Sequence, residues 1–191
     1  MALPLNDLQL ITKAFNFAAE RHADQRRKGA KAEPYINHPA EVAAILAEHG
    51  ADAVLIAAAI LHDTIEDVGV TYAELAWEFG SFVADVVQEV TDNKTLPKQV
   101  RKQLQIEHAA HASPRAKMLK IADKIANLKA LLASPPADWA AARIAEYFEW
   151  AKKVVDNCRG VNPGLEDAFD KVYVQKGKAV AAVNKSEKPK I

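Results

Sequence analysis

The segment Ala53–Leu61 limits the possible folds most strongly, because its nine consecutive residues carry no polar side chain. A helix that is apolar on all sides is normally buried among other elements rather than lying on the surface. This segment runs directly into His62 and Asp63, and two further acidic residues follow within the next turn. The sequence therefore predicts a buried helix that brings an imidazole and several carboxyl groups to the protein interior.

Helical patterns extend along almost the whole chain. Apolar residues recur at helical spacing after Asn6, which can cap the first helix, and Pro39 suits the first turn of another. Ser113 and Pro114 are typical of the start of a long helix. Strand signals are nearly absent. We therefore predict an all-α helical bundle with at most a short β-hairpin, around residues 68–70.

Length and composition fit one domain with a complete core. The chain has 191 residues, of which 50% are hydrophobic, and this size is typical of a single domain. No repeat or clear linker divides it. We predict one domain over residues 1–176, followed by a polar tail over residues 177–191 that is expected to be disordered.

Charge and cysteine content narrow the function classes. The 25 basic residues balance the 25 acidic residues, which does not favour binding to nucleic acid or to a membrane surface. Cys158 is the only cysteine, as expected in a reducing compartment. Residues 1–7 lack the features of a signal peptide, and no apolar run reaches membrane-spanning length. We expect a cytoplasmic protein whose partner is a small molecule.

The turn after the apolar segment carries an unusual set of side chains. His62 and Glu66 are four residues apart, as are Asp63 and Asp67, so each pair lies on one helix face about 5.4 Å apart. Acidic residues at a helix C-terminus oppose the helix dipole, and buried carboxylates without compensation are costly. A divalent cation would supply that compensation. The alternative is a solvated last turn without a ligand.

Two further residues become informative only in combination with this turn. Asp123 lies in a largely apolar helical segment and shares a face with Asn127. Alone, it is best explained as one half of a buried ion pair with Lys120 or Lys124. His38 directly precedes Pro39 at a predicted helix start, and alone it is best explained as a capping or packed histidine. No comparable setting surrounds the remaining histidines His22, His49, His108 and His111, for which we expect no role.

Two basic clusters could hold phosphate groups, since arginine binds phosphate bidentately and lysine acts as a point charge. Ordinary surface charge is the alternative for about half of their members. The first cluster comprises Arg26, Arg27, Lys28 and Lys31, and the second comprises Lys94, Lys98, Arg101 and Lys102.

His38, the adjacent His62 and Asp63, and Asp123 occur in the order H…HD…D, which resembles the motif of HD-domain metal phosphohydrolases. Further segments are similar to the hydrolase domain of RelA/SpoT enzymes. Over residues 8–176 the chain most resembles the stand-alone small alarmone hydrolases of the metazoan SpoT homologue type. The similar segments are Gln25–Lys28, Tyr35–Pro39, Leu61–Asp67, Lys94–Lys98, Ala122–Lys124 with Asn127, and Glu146–Trp150.

The resemblance implies an HD-domain helical bundle that hydrolyses guanosine 3′,5′-bis(diphosphate), the alarmone ppGpp, to GDP and pyrophosphate. It also implies one Mn²⁺ ion as cofactor and a role in ending stringent-response signalling. The metal ligands that it implies are His38, His62, Asp63 and Asp123. The catalytic acids that it implies are Glu66 and Asp67. The nucleotide contacts that it implies are Arg27, Lys28, Lys98, Asn127, Arg143 and Tyr147.

The chain departs from the family pattern at two places, and two alternatives stay open. Residues 29–33 form a longer segment than in the large bifunctional members, and Asn93 stands where Asp is common. One alternative is an HD-domain phosphatase for another nucleotide, such as NADPH or a deoxynucleotide. The other is a helical sensor that binds the alarmone without cleaving it. The oligomeric state does not follow from the sequence.

Overall fold

The computed structural model describes residues 5–29 and 31–186, and helices dominate this part of the chain. No helix within these residues combines the length and apolarity needed to cross a membrane. The helices described are α1 (Asp7–Arg21), α2 (Asn37–Glu48), α3 (Ala53–Leu61), α4 (Thr64–Val68), α5 (Tyr72–Phe79), α6 (Ser81–Val90), α7 (Lys98–His111), α8 (Pro114–Ala133), α9 (Ala141–Asp156), α10 (Pro163–Tyr173) and α11 (Lys176–Ser186).

The all-apolar helix α3 lies at the centre of the bundle, as predicted. It packs against α1, α2 and α6, and more lightly against α8. Ala57, Ala58 and Ala59 have no exposed surface, and their small side chains let the neighbouring helices approach closely. Because α3 is surrounded by other helices, the residues that directly follow Leu61 also lie inside the protein.

The helix starts predicted from the sequence are present. The Asn6 side chain accepts the backbone N–H of Gln9 in a reciprocal capping box. The Ser113 side chain accepts the N–H of Ala116, and Pro114 occupies the first turn of α8. These caps satisfy backbone donors that have no partner within the helix.

The short β-hairpin that the sequence allowed at most, at residues 68–70, does not form. Val68 is instead the last residue of α4, and Gly69 ends that helix in the left-handed conformation with φ of +74°. Among the described residues, an isolated antiparallel bridge joins Arg26 and Pro34. Because Gly69 ends the helix at this point, the apolar residues next to it pack on the core instead of pairing as strands.

Residues 177–186 of the tail that was expected to be disordered are helical in the structure. These residues belong to α11, which packs on α9 and buries Ala179 and Val183. The apolar run Ala179–Val183 lies in the middle of α11, and its residues Ala179, Val180 and Val183 pack on the core. Residues 187–191 of the predicted tail lie outside the described residues.

Candidate metal centre

Two imidazoles and two carboxylates from three segments meet at the end of α3. His38 lies in the first turn of α2, His62 and Asp63 join α3 to α4, and Asp123 lies in the middle of α8. His38 Nε2 is 3.1 Å from Asp123 Oδ1, and His62 Nε2 is 3.1 Å from Asp63 Oδ2. The crossed distances, from His38 Nε2 to Asp63 Oδ2 and from His62 Nε2 to Asp123 Oδ1, are 3.8 and 3.9 Å. The structure therefore brings together all four residues predicted as ligands.

The ring of His62 is oriented by the helix that precedes it. Its Nδ1 lies 2.7 Å from the carbonyl oxygen of Ala59 and donates its proton to that oxygen. Its Nε2 is buried and has no hydrogen-bond partner among the described residues. The Asp63 carboxylate oxygen is close to this nitrogen, but the two do not form a well-directed hydrogen bond. An imidazole with Nδ1 fixed by a carbonyl and a free Nε2 is the usual arrangement of a metal-binding histidine.

The two carboxylates are fixed by neighbouring side chains. The Tyr35 hydroxyl donates to Asp63 Oδ2 at 2.7 Å. Lys124 Nζ donates to Asp123 Oδ2 at 2.8 Å, and Asn127 Nδ2 donates to Asp123 Oδ1 at 2.6 Å. These partners hold each carboxylate in one orientation before any ligand binds.

Charge interactions within the cluster outweigh burial. Burial by itself raises the pKa of Asp63, but the adjacent His62 and His38 lower it below its usual range. Burial likewise opposes ionisation of Asp123, whose pKa is held well below its usual range by Lys124 and His38. Burial lowers the pKa of His62, yet the carboxylates of Asp63 and Asp123 raise it to about 9. Both aspartates are therefore anionic at neutral pH.

These residues fit a divalent cation. His38, His62 and Asp123 each offer a ligand atom, and these atoms lie within 4.8 Å of one another. Asp63 adds a second anionic oxygen beside both imidazoles. A divalent cation would compensate the two carboxylates and bind the free Nε2 of His62, releasing the proton that this ring otherwise carries. The cluster is a candidate centre for one divalent metal ion.

A wide cavity of about 630 Å³ opens on one side of the cluster. His38 and Asp67 line it, together with Asn127, Trp139 and Tyr147. Its volume is that of a typical small-molecule site. All four members of the first predicted basic cluster line it, so it is suited to an anionic ligand. Its basic residues are Arg26, Arg27, Lys28, Lys31, Lys94 and Lys129.

A second, smaller cavity of about 230 Å³, the narrow cavity, shares Tyr35, His38, Asn127 and Tyr147 with the wide one. Its walls include His38, Asp63, Asp123 and Glu66, so it reaches the cluster directly. Four cations also line it, and the buried Nε of one of them, Arg101, has no hydrogen-bond partner among the described residues. The four cations are Lys98, Arg101, Lys102 and Lys124.

The cations around the narrow cavity are close enough to perturb one another. Burial and the charges of Arg143, Lys28 and Arg101 lower the pKa of Lys98. Burial, followed by the charge of Lys98, lowers the pKa of Lys102. An anion at this position would relieve the repulsion between these groups.

Glu66 and Asp67 are adjacent in sequence but face different cavities. Glu66 lines the narrow cavity, where its Oε2 accepts the backbone N–H of Asp92 and its Oε1 lies 3.5 Å from Arg101 Nη1. Burial is the main cause that raises the pKa of Glu66, and the charges of Asp92, Asp63 and Asp67 add to it. Asp67 lines the wide cavity, where Gln25 Nε2 donates to its Oδ2 at 2.7 Å and Lys94 forms an ion pair with it.

Five of the six residues predicted to contact a nucleotide line these cavities. Arg27 and Lys28 line the wide one, Lys98 the narrow one, and Asn127 and Tyr147 both. Arg143 is the exception, because it lines neither cavity.

Arg143 instead lies behind a wall of the wide cavity. Its guanidinium stacks 4.1 Å from the ring centre of Trp139, a lining residue. Its charge still reaches the narrow side, where it lowers the pKa of Lys98.

Several residues of the site had no predicted role. Tyr35 donates a hydrogen bond to Asp63, and Gln25 donates one to Asp67. Both residues lie in segments that carry the family resemblance, but the sequence assigned neither of them a role. On α7, Gln105 donates to Asp92 Oδ2 and accepts from Lys124 Nζ. The spacing of residues 98, 101, 102 and 105 places them on one face of a helix, a signal that would have identified Gln105.

Comparisons with known proteins agree with this geometry. Residues 14–148 match the HD domain family. Guanosine-3′,5′-bis(diphosphate) 3′-pyrophosphohydrolase MESH1 of Xenopus tropicalis is 49% identical over 177 residues, covering 92% of this chain and 99% of that protein. The Homo sapiens protein of the same name is 47% identical over 169 residues, covering 87% and 94% of the two chains.

A solved structure extends the comparison to three dimensions. It belongs to a metazoan orthologue of SpoT, described as hydrolysing ppGpp and as playing a role in starvation responses, and it matches with a TM-score of 0.85 at 42% identity. The match covers 93% of this chain and 99% of the other. The family match spans more than half of the chain, and the relatives match along nearly their whole length. The chain therefore belongs to the HD-domain family and, within it, to the group of MESH1 proteins.

Proposed function

We propose that this protein hydrolyses ppGpp to GDP and pyrophosphate with Mn²⁺ as its cofactor, and so ends stringent-response signalling. The observation that carries the proposal is that the His38–His62–Asp63–Asp123 cluster borders two neighbouring cavities, both lined by cations. Such a site suits a substrate with two separate diphosphate groups. The names of the MESH1 relatives support the same substrate.

In this proposal His38, His62, Asp63 and Asp123 hold the metal. A mixed set of imidazole and carboxylate ligands is acceptable to Mn²⁺, and the supply of metals in the cell selects among competing ions. When bound, the metal lowers the pKa of water and neutralises negative charge on the phosphoryl group under attack. The hydrogen bonds from Tyr35 and Lys124 keep the two carboxylates in place for this task.

Glu66 is the proposed general base. It faces the cavity that His38, Asp63 and Asp123 also line, and its raised pKa makes it a better proton acceptor near neutral pH than an ordinary glutamate. Water transfers a proton to a Glu66 oxygen while the water oxygen attacks phosphorus of the 3′-diphosphate. The bond from that phosphorus to the ribose 3′ oxygen breaks, and this oxygen gains a proton to become the hydroxyl of GDP.

Asp67 is the second proposed catalytic acid, on the side of the wide cavity. Gln25 and Lys94 hold its carboxylate. In this position Asp67 orients the attacking water by accepting a hydrogen bond from it, while Glu66 takes the proton from the narrow cavity.

The basic and aromatic residues bind the nucleotide. Arg27, Lys28 and Lys98 neutralise phosphate charge, and Tyr147 packs on the base or the sugar. Burial raises the pKa of Tyr147 to about 12, so its hydroxyl stays protonated and donates hydrogen bonds. Asn127 and Arg143 complete the proposed contacts, Asn127 from both cavity walls and Arg143 through Trp139.

The test measures pyrophosphate release from ppGpp by the purified protein with Mn²⁺, with excess chelator, and with Mn²⁺ restored. The proposal expects release only in the presence of metal. Parallel assays with NADPH and deoxynucleotides test the alternative substrates. Faster turnover of one of these compounds would identify that compound, rather than ppGpp, as the substrate. Tight binding of ppGpp without product over hours would indicate the non-catalytic sensor instead.

A further inference from the structure

His22 lies behind the candidate catalytic residues rather than among them. It ends α1, only 2% of its surface is exposed, and it lines neither cavity. Its Nδ1 is 2.6 Å from Gln25 Oε1, and Gln25 Nε2 in turn donates to Asp67 Oδ2 at 2.7 Å. A continuous chain of hydrogen bonds therefore joins this buried histidine to Asp67.

The direction of each hydrogen bond follows from the chemistry of Asp67. An ionised carboxylate accepts hydrogen bonds only, so the NH₂ group of Gln25 must face it. The Gln25 oxygen then faces His22, and His22 Nδ1 must carry the proton that it donates to this oxygen. The buried Nε2 of His22 has no partner among the described residues, which suits a nitrogen that carries only a lone pair.

His22 also contacts the residue that holds Asp63. Its ring centre is 5.0 Å from that of Tyr35, whose hydroxyl donates to Asp63 Oδ2 at 2.7 Å. The backbone N–H of Tyr35 donates to the carbonyl oxygen of Gln25. Gln25 and Tyr35 are thus adjacent, and the imidazole of His22 packs against both.

We propose that His22 is a positioning residue that fixes the amide of Gln25 and thereby the orientation of Asp67. Without the Nδ1 donor, the Gln25 amide can rotate and place its oxygen against the Asp67 carboxylate, which would turn the carboxylate away. The inference rests on the proposed function, because the role of Asp67 in turnover is part of that proposal.

The kinetic test compares His22→Leu with His22→Asn. Leucine removes the donor, and we expect kcat for ppGpp to fall about 10–100-fold, as is typical when a supporting hydrogen bond at a metal site is lost, with little change in KM. The amide nitrogen of asparagine can replace Nδ1 as donor, so His22→Asn should recover most of the loss. His49→Leu is the matched control, since His49 also ends a helix and lines neither cavity, but its ring bonds the Ile45 carbonyl oxygen and not Gln25.

A double-mutant cycle separates positioning from general packing. If His22 acts through Gln25, adding His22→Leu to Gln25→Leu lowers kcat no further. Multiplied losses, or parental kcat in His22→Leu, would overturn the inference. Should His22→Leu not fold, Gln25→Glu provides the same test: it still accepts from His22 but places a second carboxylate against Asp67, and parental kcat in that variant would contradict the inference.

A spectroscopic measurement keeps this inference apart from the proposed function. Nitrogen-15 NMR of the parental protein without substrate reports which ring nitrogen of His22 carries the proton. Protonation at Nδ1 that changes in Gln25→Leu supports the inference even if ppGpp is not hydrolysed. A proton on Nε2 alone overturns it, whatever the substrate. Absence of pyrophosphate release by the parental protein would refute only the proposed function.

Discussion

The two cavities beside the metal cluster are built in different ways. The narrow one lies between helices, and its charged residues are linked to one another: Gln105 bridges Asp92 and Lys124, and Lys124 pairs with Asp123. The wide one is bounded largely by residues 25–29 and 31–35 and by loop residues after α8, such as Ser134 and Pro136. Helical walls hold side chains more rigidly than loops do.

In the proposed function, this difference separates two tasks of the site. Glu66 lies on the rigid, narrow side, where a proton acceptor has to be placed accurately. Arg27 and Lys28 lie on the wide side, where a nucleotide can be accommodated. We infer that residues of the narrow cavity mainly affect kcat, whereas residues of the wide cavity mainly affect KM.

Removing the centre that both cavities share should have the largest effect. In Asp63→Asn the amide oxygen still accepts the Tyr35 hydroxyl, but the anionic metal ligand is lost. We expect metal-dependent turnover of ppGpp to fall by at least about 1000-fold, since a bound metal contributes several kcal/mol to transition-state stabilisation. Metal content after dialysis and pyrophosphate release measure the effect. Far-ultraviolet circular dichroism should remain helical, and full activity in this variant would contradict the ligand assignment.

Neutralising Glu66 should impair only the function that the narrow cavity serves. Glu66→Gln keeps the acceptor for the Asp92 N–H but cannot take a proton. We expect kcat to fall about 100–10,000-fold, the usual contribution of a general base, while Mn²⁺ binding and KM change little. Titration calorimetry with Mn²⁺ and steady-state kinetics separate these quantities. A parental kcat would show that Glu66 is not the base.

Removing a cation from the wide side should have the opposite kinetic signature. Lys28→Met keeps the aliphatic length but loses the charge, so KM for ppGpp should rise about 10-fold, as expected for loss of one hydrogen bond to a charged group, with kcat nearly unchanged. Lys153→Met, at an exposed position of α9 outside both cavities, is the control. A fall in kcat instead would contradict the inferred difference between the two cavities.

The smallest effect concerns stability and its dependence on pH. Because burial and the neighbouring acids raise the pKa of Glu66 in the folded protein, its ionised form destabilises the fold. The penalty is absent below the unfolded pKa and grows as pH rises through the folded pKa. In the presence of chelator, Glu66→Gln should therefore melt a few °C above the parental protein at pH 7–8. The two curves should converge near pH 4, and a constant difference at all pH values would contradict this origin.

Much of the fold could be predicted because its signals are local. The apolar run of α3, the Asn6 and Ser113 caps and the proline in the first turn of α8 depend on residues within one or two turns. The tail was mispredicted because α11 owes its helix to packing of Ala179 and Val183 on the core. The short apolar run Ala179–Val183 does not by itself show that it has a partner on the core.

The candidate site was partly predictable for the same reason. His62 and Asp63 stood out because they follow a helix that must be buried. His38 and Asp123 did not stand out alone, since a capping histidine and a buried ion pair explain them equally well. Asp123 does pair with Lys124, as that alternative expected, and it also lies beside His38. Before the packing of α2, α3 and α8 was known, only the family resemblance placed His38 and Asp123 in the same site.

The sequence by itself determined the helices that precede α11, the buried position of α3 and the residue types gathered at its end, because helix period, capping and apolarity act between neighbours along the chain. It also required Glu66 and Asp67 to point in different directions, since adjacent residues on a helix are about 100° apart. Only the tertiary structure decided what each one meets: Asp92 and Arg101 on one side, Gln25 and Lys94 on the other. Those partners come from distant segments, and their meeting depends on how whole helices pack.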